Sequence, residues 1–471
     1  MMKTKQALLL FCLPVLWTAC NVQKDYSRPE LAMPQTYRDG ADQQKLAADS
    51  SRMSYKVFFK DPLLITLIDS AMSRNYDLQI ATKNIEQSQN LLKQAKAALI
   101  PQLNLITTAG RSYQSENSLN GSLSQGFVST KYIDDYNASL SLSWEADIWG
   151  RIANGKKGAA ARYLAQEAQR SLLRSQLISQ IAQGYFNLLT LDEQLKVARK
   201  NAVLSDSTLA IINLQFGSGQ VNSLAVQQAA AQQKTAELLV PLAEQSIAIQ
   251  ENALSILAGR FPAAVTRKNS ESLKEMHSDF PEGIPAELLE RRPDVKQSEL
   301  NLIAANADVG IAKASLYPKL SITAQSGVNT FTASNWFNLP ASLFNTFAGN
   351  LTQPLLQGRQ LKTQYQNALL EQEKSTALFK QSVLKAVGEV SDALAQNKSN
   401  ASRYEIALTR YQQLEKATRD AQLLFKSGMA NYLEVITAHN NLLQSQVELT
   451  NINGDFLKTK VDLYRALGGG A

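Results

Sequence analysis

Apolar and polar residues alternate with a period of two over a few short stretches only, and follow a helical period nearly everywhere else. The clearest alternation is NASLSLSWEADIWGR, Asn137 to Arg151. There Ala138, Leu140, Leu142 and Trp144 share one face and Ser139, Ser141, Ser143 and Glu145 the other, as a half-buried strand requires. QLNLITTAGRSY after Pro101 and KLSITAQSGV after Pro318 alternate in the same way. Each follows a helical pattern that ends at a Leu-x-Pro, because proline and the residue before it resist helix continuation. FNTFAGNLTQPLL, Phe344 to Leu356, is a fourth and much less regular candidate. Strands are therefore predicted over about 102–113, 136–146, 319–329 and 344–353, and long helices over about 152–258 and 359–467. Between Ile152 and Gln215, and between Gln360 and Lys426, there is no proline and little glycine. Such runs would reach roughly 90 to 100 Å if unbroken, more than a compact domain holds. Leu172, Leu173, Leu177, Ile181, Tyr185, Leu188 and Leu195 form a narrow seam with polar residues on both sides, which suits either a coiled coil or a wall of helices wet on two faces.

The pattern is also written twice. NYDL (Asn75 to Leu78) and AKAALIPQLNL (Ala95 to Leu105) return at one common spacing as RPDV (Arg292 to Val295) and AKASLYPKLSI (Ala312 to Ile322). Gly150-Arg151 returns as Gly358-Arg359, FGSGQVNSL (Phe216 to Leu224) as FKSGMANYL (Phe425 to Leu433), and the LAG ending at Gly259 as the ALG ending at Gly468. Five anchors in one order indicate a tandem duplication. The expected organisation is a signal over 1–19, an extended segment over 20–61, repeat 1 over 62–259, a joining segment over 260–284 and repeat 2 over 285–468.

Composition refines this. Hydrophobic residues make up 44% of the 471 and aromatics 7%, so the helices have little to bury. Lys3 and Lys5 precede an apolar run from Ala7 to Trp17, the pattern of an export signal; the run is too short to span a bilayer as a helix. Its end, WTAC, resembles a bacterial lipobox, which makes Cys20 the expected lipidated N-terminus. Cys12 lies inside the signal, so the mature chain has no partner for an internal disulfide. Asn21 then implies an outer-membrane address. The net charge of +7 comes from scattered Lys and Arg without aromatic interleaving, which argues against nucleic acid. Neither His277 nor His439 has metal-ligand spacing to a cysteine or second histidine, and no phosphate loop or nucleophile elbow occurs. No enzyme, cofactor or metal is expected.

Four strands of nine to eleven residues are long enough to cross a membrane, but an open sheet edge cannot be left in lipid, and single-chain barrels of this kind need about eight strands. Copies of the chain are therefore expected to close a shared barrel; the alternative is a soluble antiparallel sheet packed on one face. The polar or turn-rich loops between paired strands suit positions outside the membrane.

These features together resemble the TolC-like outer-membrane efflux ducts, in the lipoprotein branch that works with resistance-nodulation-division pumps. DYSRPE (Asp25 to Glu30), the segment Phe58 to Leu78, LLERRPDV (Leu288 to Val295), DIWGR (Asp147 to Arg151), YLEVITAHNNLL and the terminal LYRALGGG carry the likeness; Tyr55 stands where the family usually has Trp. The resemblance implies a mainly α fold with a small β part. In it a homotrimer makes a 12-stranded barrel, four strands per chain, continued by a 12-helix periplasmic tunnel with an equatorial region. It further implies outer-membrane lipid around the barrel, a periplasmic adaptor and an inner-membrane pump as partners, and passive conduction. SGQVNSL and SGMANYL become the periplasmic turns, with Gly219, Gln220, Val221, Gly428, Ala430 and Asn431 as adaptor contacts. Leu433 falls at the apolar constriction, Met429 one turn earlier, Glu434 at an entrance acid, and Thr437 where a second acid is common. Arg291, Arg292 and Asp294 read as structural, with Pro293 at a first helical position. A protein-secretion or heavy-metal duct of the same fold, and a lipid-anchored coiled-coil scaffold without a pore, are the alternative readings.

Overall fold

The computed structural model describes residues 22, 24–34, 37–38, 54–115, 117–119, 121–122, 131–268 and 291–470. Cys20, His277, the export signal and most of the joining segment lie outside them. The first half runs α1 (Tyr55–Phe58), α2 (Pro62–Arg74), α3 (Tyr76–Ala97), β1 (Gln102–Ser112), β2 (Ile133–Ala146), α4 (Arg151–Gly217) and α5 (Ser223–Leu257). The second half runs α6 (Pro293–Ala314), β3 (Lys319–Thr330), β4 (Leu343–Thr352), α7 (Gln360–Lys426) and α8 (Tyr432–Ala466). Both α4 and α7 have 67 residues, and both α5 and α8 have 35. No helix among the described residues is long and apolar enough to cross a membrane. The chain is mainly helical with one small sheet, as the periodicity predicts.

Two compact units are present, and neither is a repeat. One takes Glu86–Leu164 and Glu299–Leu378 with the N-terminal stretch to Pro29; the other takes Glu30–Ile85, Ala165–Ser298 and Phe379–Ala471. Each draws on corresponding parts of both halves.

In the first unit, the described strands form one antiparallel sheet in the order β1-β2-β3-β4. The irregular fourth candidate is a continuous strand in register with β3, from Lys319 opposite Thr352 to Val328 opposite Leu343. An extended N-terminal strap lies along the helical part of the same unit. Arg28 makes a bidentate pair with Glu299 at 2.7 Å, Asp25 accepts from Lys157 at 2.6 Å, and the Val22 carbonyl accepts from Lys313 at 2.9 Å.

The second unit holds the main apolar core. Leu64, Leu67, Ile68 and Ala71 repeat at helical spacing on α2 and are buried, so this helix inserts one face. They meet Ile178, Ile181, Tyr185 and Leu188 of α4, Leu254 of α5 and Val461 of α8; each such side chain stabilises the fold by about 1.5–3 kcal/mol through burial. Asp61 starts α2 by accepting from Leu63 N at 2.9 Å, and its other carboxylate oxygen accepts from the Tyr185 hydroxyl at 2.7 Å. One side chain thus caps a helix and ties it to the core.

The two halves are closed by the same clasp made from different chemistry. Asn75 donates from Nδ2 to the Leu257 carbonyl at 3.0 Å, and its counterpart Arg292 donates to the Ala466 carbonyl at 3.2 Å. Each therefore satisfies an orphan carbonyl at the end of its own repeat's last helix. Arg292 is buried and also pairs with Asp294 and Glu389, at 2.7 and 2.8 Å. Burial opposes the charge of Asp294, but its bonds to Arg292 hold its carboxyl below the ordinary range. Pro293 is the first residue of α6, as the sequence predicts.

Gly259 and Gly468 follow the clasped helix ends in left-handed conformations, φ 66° and 88°. A Cβ on Gly259 would lie 2.5 Å from the Arg74 carbonyl oxygen, and one on Gly468 would lie 3.1 Å from that of Arg291. Gly259→Ala is expected to destabilise the fold by more than the roughly 1–2 kcal/mol of a left-handed alanine, because the backbone contact adds to it. Thermal unfolding followed by circular dichroism checks this; an unchanged midpoint contradicts the clasp geometry.

Candidate functional site

Two regions combine exposed side chains with organised geometry: the paired turns that join the long helices, and the sheet. The first turn links α4 to α5, and the second links α7 to α8. Both use one construction. Gly219 and Gly428 adopt φ 75° and 74°, and the amides that follow them reach back to the helix, Gln220 N to Gln215 O at 2.9 Å and Met429 N to Leu424 O at 2.8 Å. This is the six-to-one bond of a Schellman end, which glycine permits. Asn222 and Asn431 then cap the next helices, each accepting at Oδ1 from the third residue on, Ala225 N and Glu434 N, both at 3.1 Å.

The turns differ at that third position. Glu434 returns its carboxylate to the Asn431 amide and completes a capping box; Ala225 has nothing to return. Ile212, Ala225, Ala229, Phe425 and Val435 form a small buried cluster beneath both turns, flanked by Val221, Ala430 and Tyr432. Tyr432 donates its hydroxyl to Gln228, and Gln232 donates to Asn440 at 2.7 Å. One turn on, His439 is buried on α8 with Nε2 against the Gln422 amide at 2.7 Å. Burial lowers its pKa from the usual histidine value.

The predicted entrance residues are thus brought together, though not all as expected. Gly219, Gln220, Gly428, Met429, Asn431, Leu433, Glu434 and Thr437 are exposed, while Val221 and Ala430 are half-buried against the cluster. Met429 lies in the turn before α8 rather than on the helix below Leu433. Leu224, equivalent to Leu433, is exposed as well. Sequence reasoning missed Gln228, Gln232 and Gln422: glutamine recurs throughout these helices, and only the register of α5 against α8 and of α7 against α8 singles these out.

Register assigns every strand residue to one of two faces. Leu103, Leu105, Leu140, Leu142, Ile322, Ala324, Phe347 and Leu351 share one side through the pairs Leu103 with Leu142, Leu142 with Ala324 and Ala324 with Phe347. Phe347 is 82% exposed and Leu105 73%, which is an outward apolar face and not a packed one. The opposite side carries Gln102, Asn104, Ser139, Ser141, Ser143, Thr323, Gln325 and Thr346, and has charge only near its ends, at Asp135, Glu145 and Lys319.

At the helical end, Glu145 accepts two bonds from Arg151 at 2.8 Å and pairs with Lys319 at 2.7 Å. Asp147 accepts from the amides of Ile152 and Ala153 at 2.9 and 2.7 Å, which caps α4 directly after the strand. The pair with Glu145 holds the Arg151 guanidinium above its ordinary pKa. Trp149 stacks on Tyr317 with ring centroids 4.7 Å apart. On the apolar face itself Trp144 stands toward this end and Tyr136 toward the other, the latter followed by the paired Arg111 and Asp134, so aromatic rings stand toward both ends of the band, as in membrane barrels.

Comparison with known proteins accounts for this pairing of long helices with a two-faced sheet. The family described as "Outer membrane efflux protein" matches residues 67–260 and 284–469. The "Cation efflux system protein CusC" of Escherichia coli (strain K12) is 29% identical over 469 residues, covering 98% of this chain and 99% of that protein. The "Solvent efflux pump outer membrane protein SrpC" of Pseudomonas putida is 31% identical over 473 residues, covering 99% and 98%. A crystal structure of CusC, described for conformational changes accompanying folding and transmembrane channel formation, superposes with a TM-score of 0.83 at 27% identity, over 96% of this chain and all of that one.

The buried histidine gives the second turn a pH dependence. Because the folded pKa of His439 lies below that of the unfolded chain, the unfolded state binds the extra proton first. Its contribution to stability is present above about pH 6.5 and is lost as pH falls through the folded pKa. Protection of amides 432–440 against hydrogen exchange, corrected for the intrinsic slowing of exchange at lower pH, is expected to fall between pH 7.5 and 5.5, and His439→Gln is expected to abolish that fall. An equal profile in both chains contradicts the assignment.

Proposed function

Because the chain belongs to the outer membrane efflux protein family, we propose that it is the outer-membrane duct of a tripartite efflux system. It passively conducts substrates that an inner-membrane pump of the resistance-nodulation-division type delivers through a periplasmic adaptor. The observation that carries this reading is the sheet with one exposed apolar face, one polar face charged only near its ends and, among the described residues, β1 and β4 as its edges. Edges left in lipid cost several kcal/mol for each unsatisfied backbone group. A homotrimer removes them: three four-stranded sheets close a 12-stranded barrel, with Leu140 and Phe347 toward lipid and Ser141 and Gln325 toward the lumen. The two tandem halves, 62–259 and 285–468, supply two strands and two long helices each, so the trimer continues into a tunnel of twelve helices.

The strap supports the lipid anchor at Cys20. Val22 is held by Lys313, six residues before β3, so the strap begins beside the helical end of the sheet. The turns form the periplasmic entrance. Gly219, Gln220, Val221, Gly428, Ala430 and Asn431 present the two tips to the adaptor, while Met429, Leu433 and Thr437 line the constriction. Glu434 sits in the same ring and keeps its charge within the capping box, but Thr437 stands where a second acid is common, so the seal is apolar more than acidic. A polar face whose charges, Asp135, Glu145 and Lys319, stand only near its ends favours a conduit that does not sort cargo by charge along its middle, and the cargo is set by the partner pump.

Two measurements test this. The purified lipoprotein is expected to run as a trimer and to conduct in planar bilayers, with Leu433→Ser raising conductance and susceptibility to large antibiotics; a protein that neither trimerises nor conducts sinks the duct. Ala138→Arg, on the apolar face, is expected to cost about 2–4 kcal/mol and to impair membrane assembly, whereas Ser141→Arg, on the polar face, leaves assembly intact. The reverse ranking in outer-membrane fractions contradicts the face assignment.

A further inference from the structure

The connection between β3 and β4, residues 331–342 (FTASNWFNLPAS), contains no ionisable side chain, whereas the β1 to β2 connection carries Glu116 and Lys131. It is folded rather than open. Residues Ala333–Asn335 make a 3₁₀ turn, Asn338 N donates to Asn335 O at 3.1 Å, Ser342 N donates to Asn338 O at 3.0 Å, and the Ser342 hydroxyl donates to Asn335 O at 2.6 Å. This framework sets the Trp336 ring 5.3 Å from that of Tyr136 and stacks Phe337 on Trp336 at 5.4 Å. Tyr136 belongs to the apolar face of β2, two residues from Ala138 and four from Leu140. The loop therefore turns down over the apolar side of the sheet and not over its polar side. Phe331, Phe337 and Leu339 remain 67%, 71% and 60% exposed.

We propose that this loop is an aromatic anchor that sits in the outer leaflet of the outer membrane and extends the lipid-facing surface beyond the strands. The occupant is the boundary of the leaflet's acyl chains. The loop offers no cation to a phosphate, Trp336 and the Phe337 stacked on it extend the apolar face beyond Tyr136, and aromatic rings favour the membrane boundary. The internal hydrogen bonds fix the rings beforehand, so little side-chain freedom is lost on insertion. The inference rests on the reading that the sheet spans the membrane. Its consequence is that this loop leaves the outer mouth uncovered.

Tryptophan emission in proteoliposomes tests it. In the mature chain, from which Trp17 is removed with the signal, Trp144→Phe/Trp149→Phe leaves Trp336 alone, and Trp149→Phe/Trp336→Phe leaves Trp144, on the apolar face of β2, as the reference. In phosphatidylcholine vesicles brominated near the acyl carbonyl, Trp336 emission is expected to fall by about half relative to unbrominated lipid, and aqueous iodide to have little effect. Phe337→Ala is expected to leave single-channel conductance unchanged. Quenching of Trp144 but not of Trp336, with iodide reaching Trp336 or conductance rising in Phe337→Ala, overturns the anchor and makes the loop a lid. Quenching of neither tryptophan overturns the membrane-spanning reading itself. Circular dichroism of each variant establishes that the reporters are read in folded protein.

Discussion

The ladder between β2 and β3 is the interaction on which the remaining architecture depends. It joins the halves of a duplicated chain in a single sheet, from Tyr136 opposite Thr330 to Ala146 opposite Leu320. Without it each half would carry a lone two-stranded hairpin, which is at best marginal in water and untenable in lipid. With it, the repeat ceases to be the folding unit. The compact units combine matching parts of both halves, and the long helices α4 and α7 each run through both units. Asp147 and Gly150 mark where sheet becomes helix: a carboxylate on two amides and a left-handed glycine redirect the chain within four residues.

Much of this was legible in the sequence because it rests on periodicity and on residue types with few alternatives. Alternation from Ala138 to Trp144 identified β2, and Pro101 and Pro318 identified the helix ends before β1 and β3. Gly219 and Gly428 stood out because a helix end with positive φ favours glycine. The clasp was not legible, although Asn75 and Arg292 occupy matching positions in a visible repeat. An amide and a guanidinium share no pattern, and only the geometry reveals that both reach the same carbonyl. Glu434 is a second case. An acid beside an entrance suggests a field acting on passing ions, yet an acid three residues after an asparagine is also a helix cap, and the bonds to Asn431 favour the local role. By sequence the β3 to β4 loop is polar or turn-rich and suits a position outside the membrane; its aromatic residues acquire meaning only through the contact of Trp336 with Tyr136.

The two faces of the sheet impose different chemistry on neighbouring residues. Side chains one position apart along β2 alternate between a surface where a charge costs about 2–4 kcal/mol and one where serine and asparagine meet water. The apolar residues at the turns do different work from those on the sheet: Leu224 and Leu433 are exposed, and the cluster beneath the turns has five buried residues. A core that small holds the turns together loosely compared with the main core around Tyr185 and Leu254, and regions of low local stability are where movement concentrates.

The difference between the two helix caps has a consequence for symmetry. In the proposed trimer, duplication followed by threefold assembly gives a ring that is sixfold in outline, with tips of alternating kind. Every second tip has its helix start locked by Glu434, and the tips between them have only Asn222, because Ala225 has no carboxylate to return. A ligand that grips all six therefore meets two inequivalent stations per chain, one pre-set and one compliant. Any rearrangement of such a ring is expected to begin at the α4 to α5 turns and to pivot about the α7 to α8 turns, so that the ring deforms first as a triangle and not as a uniformly widening circle.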